Sequence, residues 1–164
     1  SSRWQLQFKV KAASPTVFTL CLRIPAWVKG EPVIQLNGEP LTSPVIEDGY
    51  LKIQKTWKDD TIDLFLAPAL SYVSLPDQPE KSAIMEGPVV LAGMCEKDHG
   101  LYTNGETPED ALYAQSEHMY SVFPWKQSTY LTKKQPENFT FRPLYEIDEE
   151  TYTVYFSLKK PSDL

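Results

Sequence analysis

The sequence predicts an all-β chain, an antiparallel β-sandwich of jelly-roll-like type, on three observations. Apolar residues recur at every second position through most of the first half, the period of a strand with one buried face. These segments are short and punctuated, with 14 prolines and several Asn-Gly or Asp-Gly pairs in 164 residues. Aromatic residues make up 12% of the chain, and their rings favour a pleated, half-buried surface. No helical stripe, heptad run or internal repeat competes with this reading.

The elements follow in order. Trp4, Leu6, Phe8 and Val10 alternate with Gln5, Gln7, Lys9 and Lys11, a strand with one wet face. Ala12-Ala13-Ser14-Pro15 is expected to break it. Phe18, Leu20, Leu22 and Ile24 form the next alternation, stopped by Pro25, which cannot donate to a ladder. Val33–Leu36 is a third strand, closed by Asn37-Gly38, the strongest hairpin signal in the chain. Asp48-Gly49 is a second such signal and starts a strand at Tyr50, Leu51 and Ile53. Trp57-Lys58-Asp59-Asp60 reads as a polar turn, and Ile62, Leu64 and Leu66 as the strand after it, ending at Pro68.

The second half is less regular. Residues 84–93 make a strand broken at Gly87-Pro88, and 99–109 read as a long polar loop. Residues 111–117 fit a short helix or irregular chain, and 119–125 a strand. Phe139 and Phe141 share another strand, and Tyr152, Val154, Phe156 and Leu158 alternate through the last. The stretch Leu75-Pro76-Asp77-Gln78-Pro79-Glu80 is the best boundary, giving a β-sandwich module over 1–80 and a second β-rich module over 81–164.

Charge and cysteine content exclude several functions. The net charge is −6 and no basic run exceeds two residues, so nucleic acid is not an expected partner. No apolar run approaches the roughly 20 residues that span a bilayer, so no membrane partner is expected. Ser1-Ser2-Arg3-Trp4 has no apolar signal-peptide core, and the missing initiator Met points to a processed or excised chain. Cys21 and Cys95 are read as two free thiols.

Catalytic patterns are sparse. His99 and His118 have no partner at metal-ligand spacing, so no metal and no cofactor are expected. Cys95 and His99 lie four residues apart, the one pairing that resembles a thiol and its base. The acid clusters Asp59/Asp60/Asp63 and Asp148/Glu149/Glu150 fall in expected turns, where solvation explains them. Flat aromatic rings near strand ends offer a different chemistry, because they stack on the apolar faces of sugars. Trp27, Trp57, Trp125 and Tyr102 are the candidate carbohydrate contacts.

Phe18-Thr19-Leu20-Cys21-Leu22-Arg23-Ile24-Pro25-Ala26-Trp27 resembles the F-x-L-x-L-R-I-P-x-W strand of glycoside hydrolase family 127 and related proteins. Leu36-Asn37-Gly38-Glu39, Gly49-Tyr50-Leu51-Lys52-Ile53, Trp57-Lys58-Asp59-Asp60 and Glu86-Gly87-Pro88-Val89-Val90-Leu91-Ala92 are similar to further motifs of that family, in order. Asp59 stands where glycine is usual. Pro143-Leu144-Tyr145-Glu146-Ile147 and Tyr152-Thr153-Val154-Tyr155-Phe156 resemble its closing segments. The resemblance implies the β-sandwich region that follows a catalytic (α/α)₆ barrel in β-L-arabinofuranosidase-like proteins. It implies no catalytic residue here, since no position matches the family's nucleophile or zinc ligands.

The expected role is therefore a non-catalytic accessory region, with the parent's barrel as its partner. The alternative is a carbohydrate-binding module holding an oligosaccharide through exposed aromatics. An independent enzyme around Cys95 and His99 is the third reading. For the parent, a secreted or periplasmic location is favoured over the cytoplasm, from the family's habits alone.

Overall fold

The computed structural model describes residues 4–115 and 128–163. Every regular element among them is a β-strand or a short 3₁₀ turn, so the all-β class expected from the alternation is what the chain has. The chain divides into two compact units, one running to Pro68 and the other from Ala69.

The first unit holds β1 (Trp4–Arg23), β2 (Val33–Leu36), β3 (Glu39–Pro40), β4 (Val45–Glu47) and β5 (Tyr50–Leu66). Its sheet runs β1-β5-β2-β3, with β4 also on β5. Both hairpin signals are realised: Asn37 and Gly38 take φ of 54° and 84°, and Asp48 and Gly49 take 52° and 77°. That pair of left-handed residues matches the right-handed twist of the strands they join.

Two expected breaks are not breaks. Ala12–Pro15 and Trp57–Asp60 lie inside the continuous strands β1 and β5, which pair antiparallel from Trp4↔Leu66 to Arg23↔Tyr50 with a register shift between Lys11 and Thr16. The burial of β5 shows why the sequence reads as a turn. Leu51, Ile53 and Trp57 are buried at odd positions, and Asp60, Ile62, Leu64 and Leu66 at even ones. At the register shift four residues of β1, Ala12–Pro15, stand against the single Lys58 of β5, and this bulge changes the inward-facing parity without ending the ladder.

The bulge also bends the ribbon. In a flat strand, residues five apart lie roughly 16 Å apart on opposite faces. Lys55 Nζ nevertheless pairs with Asp60 Oδ1. Residues from both sides of the bend, Leu22, Leu51, Ile53 and Trp57 with Ile34, Ile62, Leu64 and Leu66, share one apolar core. The first unit thus builds its layers by folding one long hairpin over itself.

Asp60 is the one carboxylate among the buried residues of that core, at 7% exposure. A buried charge persists only when fully partnered. Lys55 supplies an ion pair, Asn37 Nδ2 donates at 2.9 Å, and the Lys58 backbone N–H donates at 3.1 Å to Oδ2. The Lys55 bond, then the Asn37 and Lys58 bonds, hold the Asp60 carboxyl at about 2, below its usual 3.8. A carboxyl depressed by folding stabilises the fold above its unfolded range and loses that contribution as pH falls toward the folded value. Thermal melts of the chain are expected to drop between about pH 4 and pH 2, and Asp60→Asn is expected to flatten that portion of the profile. An unchanged profile in the variant places the acid sensitivity elsewhere.

The second unit carries β6 (Leu70–Ser74), β7 (Lys81–Glu86), β8 (Val89–Gly93), β9 (Leu101–Tyr102), β10 (Leu112–Ala114), β11 (Tyr130–Thr132), β12 (Thr140–Pro143) and β13 (Tyr155–Lys159). The order is β10-β11-β12-β8-β7-β13-β9, with β6 on β7. All pairings are antiparallel except β13 with β9. Leu70–Ser74 pairs with Lys81–Glu86, and residues 75–80 form the loop joining them. The long loop expected over 99–109 contains β9, and Leu112–Ala114 is a strand, not a helix.

The core of the second unit gathers Ile84, Leu91, Leu101, Ala111, Leu112, Phe141 and Phe156. Phe139, Phe141 and Phe156 form a ring cluster with centroids 5.2–5.6 Å apart. Gly93 makes room for it: a Cβ there would sit 2.5 Å from Phe156 Cζ and 3.0 Å from Phe139 Cε2.

Candidate functional site

The four candidate aromatics have separate fates. Trp57 has no solvent exposure. Its indole N–H donates to the Phe18 carbonyl at 2.9 Å, its ring stacks on Phe18 at 5.6 Å, and Lys55 Nζ lies 5.2 Å from its centroid. A ring with no free face cannot stack on a sugar, so Trp57 belongs to the core. Trp27 is half-buried at the corner after β1, where the Val28 N–H donates to the Pro25 carbonyl at 3.2 Å. Its ring packs on Trp4 at 5.2 Å. Trp125 lies outside the described residues, as does His118. Tyr102 is half-buried on β9 and lines a cleft.

That cleft holds about 200 Å³ and is lined by Tyr102, Thr103, Asn104, Asp110, Lys134 and Pro161. Its frame is fixed by Gln135. The Gln135 Oε1 accepts from the Tyr102 N–H at 2.8 Å, and Nε2 donates to the carbonyls of Tyr102 and Lys133 at 2.8 and 2.9 Å. One side-chain amide thereby mimics a strand on the outer edge of β9 and ties it to the β11–β12 loop. On the other edge the Thr103 N–H donates to Lys159 O at 2.9 Å. Lys159 Nζ lies 5.5 Å from the Tyr102 ring centroid.

A larger cleft of about 500 Å³ brings together Cys95 and His99, with Glu137 and Phe139 also on its wall. The thiol there is not activated. Burial pushes the Cys95 thiol up, and the nearby carboxylates Asp98 and Glu137 push the same way, outweighing hydrogen bonds from Thr153 and Lys97. A cysteine nucleophile needs the opposite environment. Asp98 is itself occupied: burial raises its carboxyl, but bonds from Ser157 Oγ at 2.6 Å, the Gly100 N–H at 2.8 Å and the Ser157 N–H bring it below the usual range.

Three of the clustered acids are committed to partners within the fold. Asp60 is buried as above, Asp63 accepts from Gln7 Nε2 at 3.0 Å, and Glu150 pairs with Arg142 at 2.9 Å. Among the described residues no group of three or more His, Cys, Asp or Glu side chains is placed to hold a metal ion.

The motif residues meet at one point. Asn37 donates to Asp60, accepts from the Thr61 N–H at 2.8 Å, and its own N–H donates to Thr61 O at 2.8 Å. The Asn-Gly hairpin and the Trp-x-x-Asp segment are thus two sides of one polar knot beside the bend. Sequence spacing singled out Tyr102 but not Asn104, Asp110 or Lys134, which reach the same cleft from the β9–β10 and β11–β12 connections.

Comparison with known proteins gives this arrangement a context. Residues 1–67 match the family described as beta-L-arabinofuranosidase, GH127 middle domain. No curated protein matches the chain. The fold is similar to that of a GH127 beta-L-arabinofuranosidase from Geobacillus stearothermophilus T6, with TM-score 0.61 and 20% identity over 94% of this chain and 28% of that one. A second GH127 beta-arabinofuranosidase gives TM-score 0.59 and 19% identity over 94% of this chain and 30% of that one. A third structure, described only as a glycoside hydrolase, gives 0.57 and 16% over 94% and 30%. The chain therefore spans less than a third of the length of the structures it matches; its first 67 residues match the GH127 middle-domain family, and its fold as a whole is similar to a β region of those larger proteins.

Proposed function

We propose that the chain is a non-catalytic accessory region of a family-127-like glycoside hydrolase and that its first unit docks on the parent's catalytic (α/α)₆ barrel. The observation that supports this most is the state of β1. Its core-facing row fades outward from half-buried Val10 and Phe8 to Leu6 and Trp4, at 40% and 38% exposure. Among the described residues β1 pairs only with β5, so its outer backbone edge is open along its length. Soluble chains protect long edges or cover them with another element. Val45 and Ile46, at the other end of β5, are exposed apolar residues as well.

The same reading makes the two units separately folding modules, since each has its own core, and leaves hydrolysis to the parent's barrel. It is tested on the isolated chain with an apolar dye. Leu6→Lys is expected to lower dye binding markedly while moving stability by less than about 1 kcal/mol, since the site is already partly exposed. Undiminished dye binding by a folded Leu6→Lys chain counts against β1 as the docking surface.

A further inference from the structure

The cleft beside Tyr102 is unused by the docking just described and lies wholly within the second unit. Its walls carry Tyr102 and three polar side chains from two connections: Asn104 and Asp110 between β9 and β10, the latter at the end of a 3₁₀ turn, and Lys134 in the β11–β12 loop. Among the described residues no hydrogen bond or ion pair commits the side chains of Asn104, Asp110 or Lys134. They stand around one small volume as an amide, a carboxylate and an ammonium group with their donors and acceptors open.

Three features show that the arrangement is held rather than incidental. The Gln135 clamp fixes the Tyr102 backbone against the loop that carries Lys134. Lys134 itself has φ of 57°, a left-handed conformation that a non-glycine residue adopts rarely and that clusters at binding sites. Gly105 has no side chain where the Asp110 carboxylate lies: a Cβ there would fall 2.0 Å from Oδ2. Each feature shapes the cleft.

We propose that this cleft is a binding subsite for one neutral sugar residue of an oligosaccharide. Its volume of about 200 Å³ is below the roughly 300–1,000 Å³ of pockets for drug-sized ligands and suits a single ring. Tyr102 supplies an aromatic surface for the C–H face of a sugar, while Lys159 occupies ring surface without lining the cleft. Asp110, Asn104 and Lys134 supply acceptors and donors for hydroxyls. One lining carboxylate and one lining ammonium cancel in formal charge, which favours a neutral ligand over a uronate or phosphate. The sugar class rests on the accessory reading above; the cleft and its open polar groups do not.

The test is an amide and side-chain NMR titration of the full chain with neutral pentoses and hexoses, L-arabinose among them, and with glucuronate and inorganic phosphate. Expected are saturable shifts at Tyr102, Asn104, Asp110, Lys134 and Gln135 with a neutral sugar. Tyr102→Ala is expected to weaken binding at least about tenfold, as is Gly105→Ala, which displaces the carboxylate. Asp110→Asn keeps the shape and covers the case in which Tyr102→Ala fails to fold. Shifts with phosphate or glucuronate alone overturn the neutral-sugar assignment. No shifts at these residues with any neutral sugar, or sugar-induced shifts only around Trp27, overturn the subsite. None of these outcomes touches the docking of β1, which is measured without sugar.

Discussion

Trp57→Ala is expected to destabilise the first unit by about 3–5 kcal/mol, a large part of the stability of an ordinary module. The residue is fully buried at the bend of the β1–β5 ribbon, and its loss removes three interactions together. A cavity replaces the ring between the two sides of the fold. The Phe18 carbonyl loses the indole donor at 2.9 Å. Lys55, which sits over the ring while it holds Asp60, loses one of its two supports. Trp57→Phe separates the contributions: it keeps most of the volume and loses the hydrogen bond, and about 1–2 kcal/mol is expected. Urea denaturation of the three chains measures the difference. If the units are separate modules, NMR signals of Leu64 and Ile34 in Trp57→Ala are lost at lower urea than those of Phe141 and Phe156, which keep their usual midpoint.

Phe156→Ala is expected to have the mirror-image effect. Phe156 is fully buried and touches both other rings of its cluster, so about 3–5 kcal/mol should be lost from the second unit, with the first unit's melt unmoved. Gly93→Val should act on the same cluster from the opposite direction. The added side chain collides with Phe156 and Phe139, and overpacking of this kind costs about 1–3 kcal/mol. The double variant Gly93→Val/Phe156→Ala is then expected to be less destabilised than the sum, because the cavity made by one substitution receives the atoms added by the other. A single cooperative transition shared by both units in every variant contradicts their separation.

Much of the first unit is legible in the sequence because period-two alternation and Asn-Gly or Asp-Gly turns are local signals. Val33–Leu36, both hairpins and the stop at Pro25 are all present where the residues place them. The polar turn at Trp57–Asp60 is not, and the reason is physical. A bulge and a turn leave the same mark on one strand, a slip in the parity of the apolar positions. Only the partner strand tells them apart: Lys11↔Asp59 and Thr16↔Trp57 are paired on either side of the slip. Asp60 misleads for a related reason, since an acid among polar neighbours reads as solvated until Lys55 and Asn37 are seen to enclose it.

The candidate site was less visible. Tyr102 is identifiable as an aromatic in a polar stretch, but Trp57 shares that description and is a core residue. What distinguishes them is burial, which spacing does not encode. The partners of Tyr102 come from loops up to 59 residues away in sequence, as with Pro161, or are set by one glutamine side chain, Gln135, whose role depends on where β9 ends. The ordered family motifs, by contrast, mark turns and the Asn37–Asp60 knot, and so identify a fold rather than a chemistry.

The most direct measurement is calorimetric titration of the isolated chain with the separately produced barrel of its parent protein, followed by activity assays of both. Saturable binding, weakened at least tenfold (about 1.4 kcal/mol) by Leu6→Lys, with hydrolysis confined to the barrel, is the predicted result. No binding, binding that ignores β1, or arabinofuranoside hydrolysis by the chain alone would contradict the accessory role.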